Sequence, residues 1–496
     1  MTDAVKHTNT LDLLAFDLGA SNGRGILGHF DGERIALTSA GHFENNFIPE
    51  GELGYWDLPH ILGQMKLCFQ KAKALGHAPA CFGIDTWGVD YGLLDAEGQL
   101  IENPRAYRVS TDREMEAAWQ KISKRQLFDL SGIAALNFNT VYQLYRRVLA
   151  DDPALRKAHT LLLMPDLLGY LLTGEKRSEY TMATTTGLLD VHTQDWSADI
   201  MQALSIPQGI FTQIDRAGTL RGTMTRQVAE ALGVDAVPFA AVGTHDTASA
   251  VAAIPGKGNF AFCSSGTWSL FGVETEKPVL NEFVFASNFS NEGTVQGGYR
   301  PLKNIMGLWI IQECRREWTR QGTPYSWDQI VALAREAEPL RSVVDPDDGP
   351  FFQAGAMPEK IRAYCRRTGQ PVPETVGQIA RTVYESLALK YRWALERLGE
   401  MRGQPIESLN IVGGGIQNQL LNQMAADSTG LVTTVGPTEG AVLGNLLMQL
   451  VALGQLSGIG QAREVAKASV ETHQYQPNRS QAWEDAYGRL LKYMEE

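Results

Sequence analysis

Two turns rich in glycine and hydroxyl residues, each set between apolar runs and lying about half a chain apart, constrain this chain more than any other feature. The first is Phe16-Asp17-Leu18-Gly19-Ala20-Ser21-Asn22-Gly23-Arg24-Gly25-Ile26-Leu27-Gly28. Leu11 to Phe16, around Asp12, leads in, and Gly25 to Phe30 leads out, which reads as strand, tight turn, strand. Gly19 and Gly23 are expected to take backbone angles that bulkier side chains resist. Such a turn can aim several N–H groups and the Ser21 hydroxyl at one point, as an anion nest. Asp17, at the end of the strand, is an oxygen ligand suited to a hydrated magnesium ion. Taken alone, the stretch reads first as a plain hairpin with a glycine-rich turn. The second turn shifts that balance. Phe260-Ala261-Phe262-Cys263-Ser264-Ser265-Gly266-Thr267-Trp268-Ser269-Leu270-Phe271-Gly272 repeats the pattern. Two such hairpins, one opening each half, predict a duplicated core with a ligand cleft where the halves face each other.

Composition narrows the class. A chain of 496 residues holds roughly two to four domains. Its net charge of −12, without a long basic run, argues against nucleic acid and acidic membranes as partners. The five cysteines contain no C-x-x-C pair and are odd in number, so no disulfide framework is expected and a reducing cytoplasm is. No signal-peptide pattern opens the chain. The most membrane-like segment, Leu161 to Leu172, is broken by Pro165 and Asp166.

Along the chain, residues 1 to about 10 read as a tail. Asp57 to Leu75 has helical spacing, and Ala80 to Asp85 reads as a buried strand. The span 110–175 is largely helical in pattern, with a buried helix beginning near Pro165. Thr181 to Thr186 reads as a loop. Val237 to Val242 is a strand leading through Gly243-Thr244-His245-Asp246-Thr247 into a helix over Ala248 to Ala253. Pro255-Gly256-Lys257-Gly258 marks the boundary between halves. Helices are expected over Lys303 to Arg320 and Gln378 to Met401, the latter with Ile379, Val383, Leu387, Tyr391, Ala394 and Leu398 on one face. Ser408 to Val412 and Leu431 to Val435 are strands, and Gln417 to Ser428 and Ala441 to Leu453 are helices. Hairpin followed by βαβ in each half indicates α/β layers.

Familiar catalytic signatures are missing. There is no G-x-x-x-x-G-K-[ST] or H-E-x-x-H, and the G-x-S-x-G of Gly19-Ala20-Ser21-Asn22-Gly23 lies in a stretch that reads as strand, turn, strand rather than the strand–turn–helix of a nucleophile elbow. Gly413-Gly414-Gly415-Ile416-Gln417-Asn418 lacks the third glycine of a dinucleotide fingerprint, and no acid ends the strand at Val435, which disfavours a dehydrogenase. Those glycines still let a base or phosphate approach the backbone. Asp246 follows a strand and precedes a helix. It reads as a helix N-cap or as a carboxylate that takes a proton from a substrate hydroxyl attacking a phosphate. Trp87 is a core residue or an apolar wall for a sugar face. Asp85 and Asp90 accept sugar hydroxyls or bound a turn. Asn304 opens the helix from Lys303, where capping alone accounts for it.

These residues together resemble the FGGY carbohydrate kinases. The resemblance rests on Asp17-Leu-Gly-Ala-Ser21-Asn-Gly-Arg24, Gly83-Ile-Asp-Thr-Trp-Gly-Val-Asp90, Thr244-His-Asp-Thr-Ala248, Ser264-Ser-Gly-Thr-Trp268, Leu302-Lys-Asn-Ile-Met-Gly-Leu-Trp309 and Val412-Gly-Gly-Gly-Ile-Gln-Asn418. It runs in order along nearly the whole chain and is nearest the bacterial branch acting on L-rhamnulose. It implies two actin-like (ribonuclease H-like) α/β domains of the actin, hexokinase and chaperone-ATPase superfamily, closing on a cleft. The first, residues 1–254, would bind sugar and carry the first phosphate loop. The second, 255–496, would bind nucleotide. The implied reaction is transfer of the γ-phosphate of ATP, with Mg2+, to the C1 hydroxyl of L-rhamnulose in L-rhamnose catabolism. Asp246 would be the general base. Ala20, Ser21, Asn22, Gly23 and Arg24 would line the ATP phosphates, with Thr267 on the second phosphate loop and Gln312 and Gly414 on the nucleotide side. Gly88, His245, Asp246, Thr247 and Asn304 would touch the sugar, and Asp17 would hold the metal through water. The implied partner is a small ketose, with no nucleic acid or membrane, for a monomer or homodimer in the cytoplasm. One departure stands out. In Ala106-Tyr107-Arg108-Val109-Ser110-Thr111-Asp112-Arg113, Val109 occupies the place of an expected aspartate. Another ketose, such as L-fuculose or a pentulose, is the alternative substrate. An ATP-driven binding protein of the actin or chaperone type is the alternative class.

Overall fold

The computed structural model describes residues 10–256 and 258–495. The expected tail, apart from Thr10, lies outside the described residues, as does Lys257 of the proposed boundary. The described residues form two compact units. One comprises those up to Pro255 with Glu274–Pro301 and Gly440–Val470; the other comprises Gly256–Val273, Leu302–Glu439 and the chain from Glu471. The chain thus passes between units more often than a single break at 254/255 provides for. Glu274–Pro301 and Gly440–Val470 belong with the first unit, because their buried faces find their partners there.

In the first unit a mixed sheet runs in the order Thr219–Thr223, Pro238–Ala241, Cys81–Thr86, Leu11–Leu18, Asn22–Phe30, Ile35–Glu44. The last three strands form an antiparallel meander, and Cys81–Thr86 joins Leu11–Leu18 in parallel. The second unit repeats this order. Leu302–Met306, Trp268–Gly272 and Phe260–Ser265 form the meander, Ser408–Val412 joins in parallel, and Thr433–Val435 and His473–Tyr475 follow. The duplication expected from the two turns is therefore present as a repeated topology.

Packing fixes these elements. The helix Leu58–Ala74 is capped by Asp57, whose carboxylate accepts from His60 N. It buries Ile61, Met65 and Phe69 against Phe16 and Phe82 of the first sheet. Burial of each such side chain is worth about 1.5–3 kcal/mol. The helix Val376–Arg402 opens with a capping box of Thr375 and Gln378 and buries the whole predicted face. Its Tyr391 hydroxyl lies 2.7 Å from Ser269 Oγ on the second hairpin.

Several expectations change. The first hairpin turns over Gly19–Ser21 alone; Asn22, Gly23 and Arg24 lie in the second strand, with Gly23 opposite Leu18 and Arg24 opposite Asp17. Neither Gly19 nor Gly23 has the left-handed backbone expected of it. Gly23 is instead a packing requirement, since a Cβ there would lie 2.6 Å from the Phe43 ring. The segment 181–186 forms most of a helix, Tyr180–Thr185, with Thr186 as its C-cap. Its threonine hydroxyls, which would otherwise compete with helix bonding, bond back to Thr181, Met182 and Ala183 carbonyls, while Glu179 caps its N-terminus. The helix expected from Lys303 begins only at Trp309, because Leu302–Met306 is drawn into the sheet against Trp268–Gly272. Leu161–Leu163 forms a strand with Tyr91–Leu94, and the helix that follows is Met164–Thr173. No helix among the described residues is long and apolar enough to cross a membrane. All five cysteines are buried and unpaired.

Candidate active site

In the first unit the sheet brings three carboxylates to one end. Asp17 and Asp85 are parallel neighbours near the ends of their strands, and the next residue after Asp85, Thr86, pairs with His245, directly before Asp246. The three differ sharply in environment. Asp85 is fully buried. Its Oδ2 accepts from Asn445 Nδ2 at 2.6 Å, while its Oδ1 has no partner. Burial first, and the Asp17 charge second, push its carboxyl well above the usual range. Asp17 is held by Arg24, whose Nε and Nη2 donate to Oδ2 at 2.9 and 2.6 Å. Asp246 keeps 34% of its side-chain surface exposed. Loss of solvent raises its pKa; His245 opposes this and Asp17 adds to it.

Asp246 is the first residue of the helix Asp246–Ala252, and His245 is the N-cap residue, without a side-chain cap bond. The expected N-cap role therefore does not account for Asp246. Its Oδ1 instead accepts from the N–H and hydroxyl of Thr247 and lies 3.5 Å from His245 Nε2. Gly88 joins this group: a Cβ there would lie 3.5 Å from His245 Nε2. The next residue, Val89, adopts φ 69°, a strained angle for a β-branched side chain. Strain of this kind is stored where surrounding structure over-determines the backbone. Gly88, His245, Asp246 and Thr247 are thus brought together.

The first turn is held by its carbonyls. Gly19 O and Ser21 O accept from Asn45 Nδ2 and Asn45 N, and Ala20 O accepts from Arg108 Nη2 at 2.8 Å. Arg108 also lies 3.4 Å from Ser21 Oγ and over the Trp56 ring. The segment with the missing aspartate therefore contributes a cation to the phosphate-type turn, which sequence reasoning did not single out.

Trp87 and Asp90 are not open to a sugar. Trp87 is 6% exposed and packs on Trp56 with ring centroids 4.4 Å apart. Asp90 is buried and accepts from Trp56 Nε1, Trp87 Nε1, Tyr107 N and Gln143 Nε2. Both residues are internal structure.

In the second unit, Thr267 is exposed on the hairpin turn, and its carbonyl accepts from Gly307 N and Trp309 N. Gly266 O accepts from Leu308 N. The turn thus sits against the start of the helix Trp309–Arg320, whose Gln312 is half-buried. Gly414 is exposed after the strand Ser408–Val412. Its neighbours Gly413 and Gly415 press against Ser265, leaving no room for side chains: a Cβ on Gly415 would lie 2.1 Å from Ser265 Oγ. Asn304 is not at a helix start. It is a half-buried strand residue opposite Leu270.

Comparison with known proteins decides the family. Residues 13–253 match the FGGY family of carbohydrate kinases, N-terminal domain, and residues 261–453 match its C-terminal domain. The chain belongs to the FGGY family of carbohydrate kinases. Among relatives of this FGGY kinase, a rhamnulokinase of Bacteroides thetaiotaomicron is 40% identical, over 96% of this chain and 98% of that one. Rhamnulokinases of Enterococcus faecalis and Bacillus subtilis are 39% and 35% identical, covering 94% and 93% of this chain and 94% and 95% of theirs. The fold is shared with a ligand-bound xylulose kinase of Lactobacillus acidophilus (TM-score 0.79, 14% identity, 98% and 97% of the two chains). It is shared too with a Plasmodium falciparum glycerol kinase crystallised with ADP (TM-score 0.77, 13% identity, 98% of each chain). This FGGY kinase therefore has the mixed α/β two-domain architecture that its sequence resemblance implied.

Proposed function

We propose that this kinase transfers the γ-phosphate of ATP to the C1 hydroxyl of L-rhamnulose, giving L-rhamnulose 1-phosphate. The observation that carries the reading is the set of rhamnulokinases 35–40% identical across 93–96% of the chain. In this reading Asp246 accepts the C1 proton as the oxygen attacks. Its partly exposed carboxylate, oriented by Thr247 and near His245, supports that role. His245, Gly88, Thr247 and Asn304 bind the ketose. Ala20, Ser21, Asn22, Gly23 and Arg24 serve the ATP phosphates with Thr267, while Gln312 and Gly414 serve the rest of the nucleotide.

Magnesium fits the residues present. It prefers oxygen ligands and retains waters. Asp17 supplies hard oxygens at the end of its strand, with Oδ2 shared with Arg24. Among the described residues no three acidic, histidine or cysteine side chains could hold a metal ion by themselves, so Asp17 would hold the ion through water. Bound there, Mg2+ would neutralise phosphate charge. The reading places the enzyme in the cytoplasm, as a monomer or homodimer, without nucleic acid or membrane partners.

The test is ADP release with a panel of ketoses, including L-rhamnulose, L-fuculose and pentuloses. L-rhamnulose should give the highest kcat/KM; ATP hydrolysis indifferent to every ketose would overturn the reading. Asp246→Asn keeps the shape and should lower kcat by ~10²–10⁴-fold, with ATP affinity and melting temperature little changed. Loss of stability in step with activity would make Asp246 a structural residue.

A further inference from the structure

The hairpin Ser290–Gly293 and Tyr299–Pro301 lies within Glu274–Pro301, the excursion that belongs to the first unit. Its turn is closed by Thr294 N to Gly298 O and Gly297 N to Thr294 O. The hairpin is seated on the helix Tyr180–Thr185. Gly293 N donates to Thr184 Oγ1 at 2.8 Å, and a Cβ on Gly293 would lie 2.6 Å from the Tyr180 ring. It brings two charged side chains, Glu292 and Arg300, into the interior beside His245. Glu292, His245 and Arg300 are 7%, 7% and 0% exposed.

The three groups form a closed triangle. Glu292 Oε2 lies 3.2 Å from His245 Nδ1, Arg300 Nη2 lies 3.1 Å from the same Oε2, and Arg300 Nη2 lies 3.3 Å from Nδ1. Arg300 Nε is anchored on Gly293 O at 2.8 Å. The other edge of the imidazole faces the chemistry, with Nε2 3.5 Å from Asp246 Oδ1 and beside Gly88. Glu292 loses solvent, but the His245 and Arg300 charges outweigh that and hold its carboxyl below the usual range. An ionised carboxylate only accepts hydrogen bonds. A lone pair on Nδ1 would accept from Arg300 Nη2 at 3.3 Å but would face the Glu292 carboxylate, a second acceptor, at 3.2 Å. A proton on Nδ1 is instead accepted by Glu292 Oε2, with Arg300 Nη2 completing the carboxylate's bonds.

We propose that Glu292, held by Arg300, is a positioning residue that takes the Nδ1–H of His245 and thereby aims Nε2 at the ketose hydroxyl beside Asp246. This rests on the sugar-kinase reading above. The chemistry parallels metal sites, where a carboxylate behind a histidine sets which ring nitrogen faces the work. Glutamine at 292 keeps an acceptor oxygen; leucine does not.

The experiment measures steady-state kinetics with L-rhamnulose and ATP, together with ring-nitrogen NMR of 15N-histidine-labelled full-length chain, His245 being assigned with His245→Gln. Wild type should show His245 with a protonated Nδ1. Glu292→Gln should keep that signal and most of kcat. Glu292→Leu should lose it and lower kcat by ~10–100-fold, with KM for ATP within about twofold, a split that general destabilisation would not produce. Wild-type kcat with an unmoved ring signal in Glu292→Leu would overturn the proposal, as would a Glu292→Gln variant as inactive as Glu292→Leu while folded. If Glu292→Leu does not fold, the wild-type spectrum decides: an unprotonated Nδ1 overturns the proposal. A wild-type chain that phosphorylates no ketose sinks the kinase reading instead, and the ring spectra, which need no turnover, still decide the tautomer.

Discussion

Glu179 Oε2 accepts from Thr181 N and Oγ1, from Met182 N, and from Thr244 N and Oγ1, all inside the first unit. One buried oxygen thus ties the Thr-rich helix to the residue just before His245 and Asp246. Glu179→Leu would leave those donors unpaired, at about 1–3 kcal/mol for each buried group left unsatisfied. It should lower stability by ~3 kcal/mol or more in urea unfolding. Glu179→Gln, which keeps an acceptor, should stay within ~1 kcal/mol. Equal losses in the two would show that acceptance at that oxygen is not what matters. Glu179, like Glu292, Arg300 and Asn445, carried no signal in the sequence. Each is a single polar residue outside any spaced motif, and its role comes only from the partners the fold gives it. Asp246 and His245 could be singled out as candidates because they sit in a compact motif; the internal roles of Trp87 and Asp90 could not be read, because their burial is a tertiary property.

At the scale of elements, the helix Asp246–Ala252 crosses Gly440–Ala452 very closely: a Cβ on Gly444 would lie 1.8 Å from Ser249 O. The obstacle is backbone, so it cannot rotate away. The same second helix sends Asn445 to Asp85 and Gln449 to Leu14 O. Gly444→Ala should therefore cost about 1–3 kcal/mol of overpacking and lower kcat as well, because the helix that must move carries Asp246. Gly414→Ala, with open space around it and an ordinary backbone, is the contrast and should leave the melting temperature in place. If Gly444→Ala were as harmless as Gly414→Ala, the close crossing would not persist in solution. Element types followed from periodicity for long segments such as Val376–Arg402. They failed at Leu302–Met306 and Tyr180–Thr185, where strand pairing and a buried carboxylate override local preference.

For the whole molecule, burial of acids sets a pH dependence. Burial pushes Asp90 and Asp166 up to about 6 and Glu385 up to about 7, with Arg221 opposing at Asp166 and Arg381 at Glu385. These values lie above those of an unfolded chain, roughly 4, so the folded chain binds the additional protons. The stability they contribute is complete below pH ~4 and is lost as pH rises through about 6 to 7. The net charge of −12 acts in the same direction, since self-repulsion grows as pH climbs away from a pI near 5.4. The melting temperature should fall between pH ~5.5 and ~8; a flat or rising profile in calorimetry would contradict this balance.

By itself the sequence determined the family, the α/β class and the duplicated hairpin, because those are carried by local motifs and by periods a single strand or helix imposes. Only the tertiary structure decided that Glu274–Pro301 and Gly440–Val470 belong with the first unit, that Arg24 is bound to Asp17, and that Glu292 and Arg300 stand behind His245. The physical reason is that burial and ion pairing depend on which distant segments meet. That meeting is set by the shape of apolar surfaces, which no local spacing records.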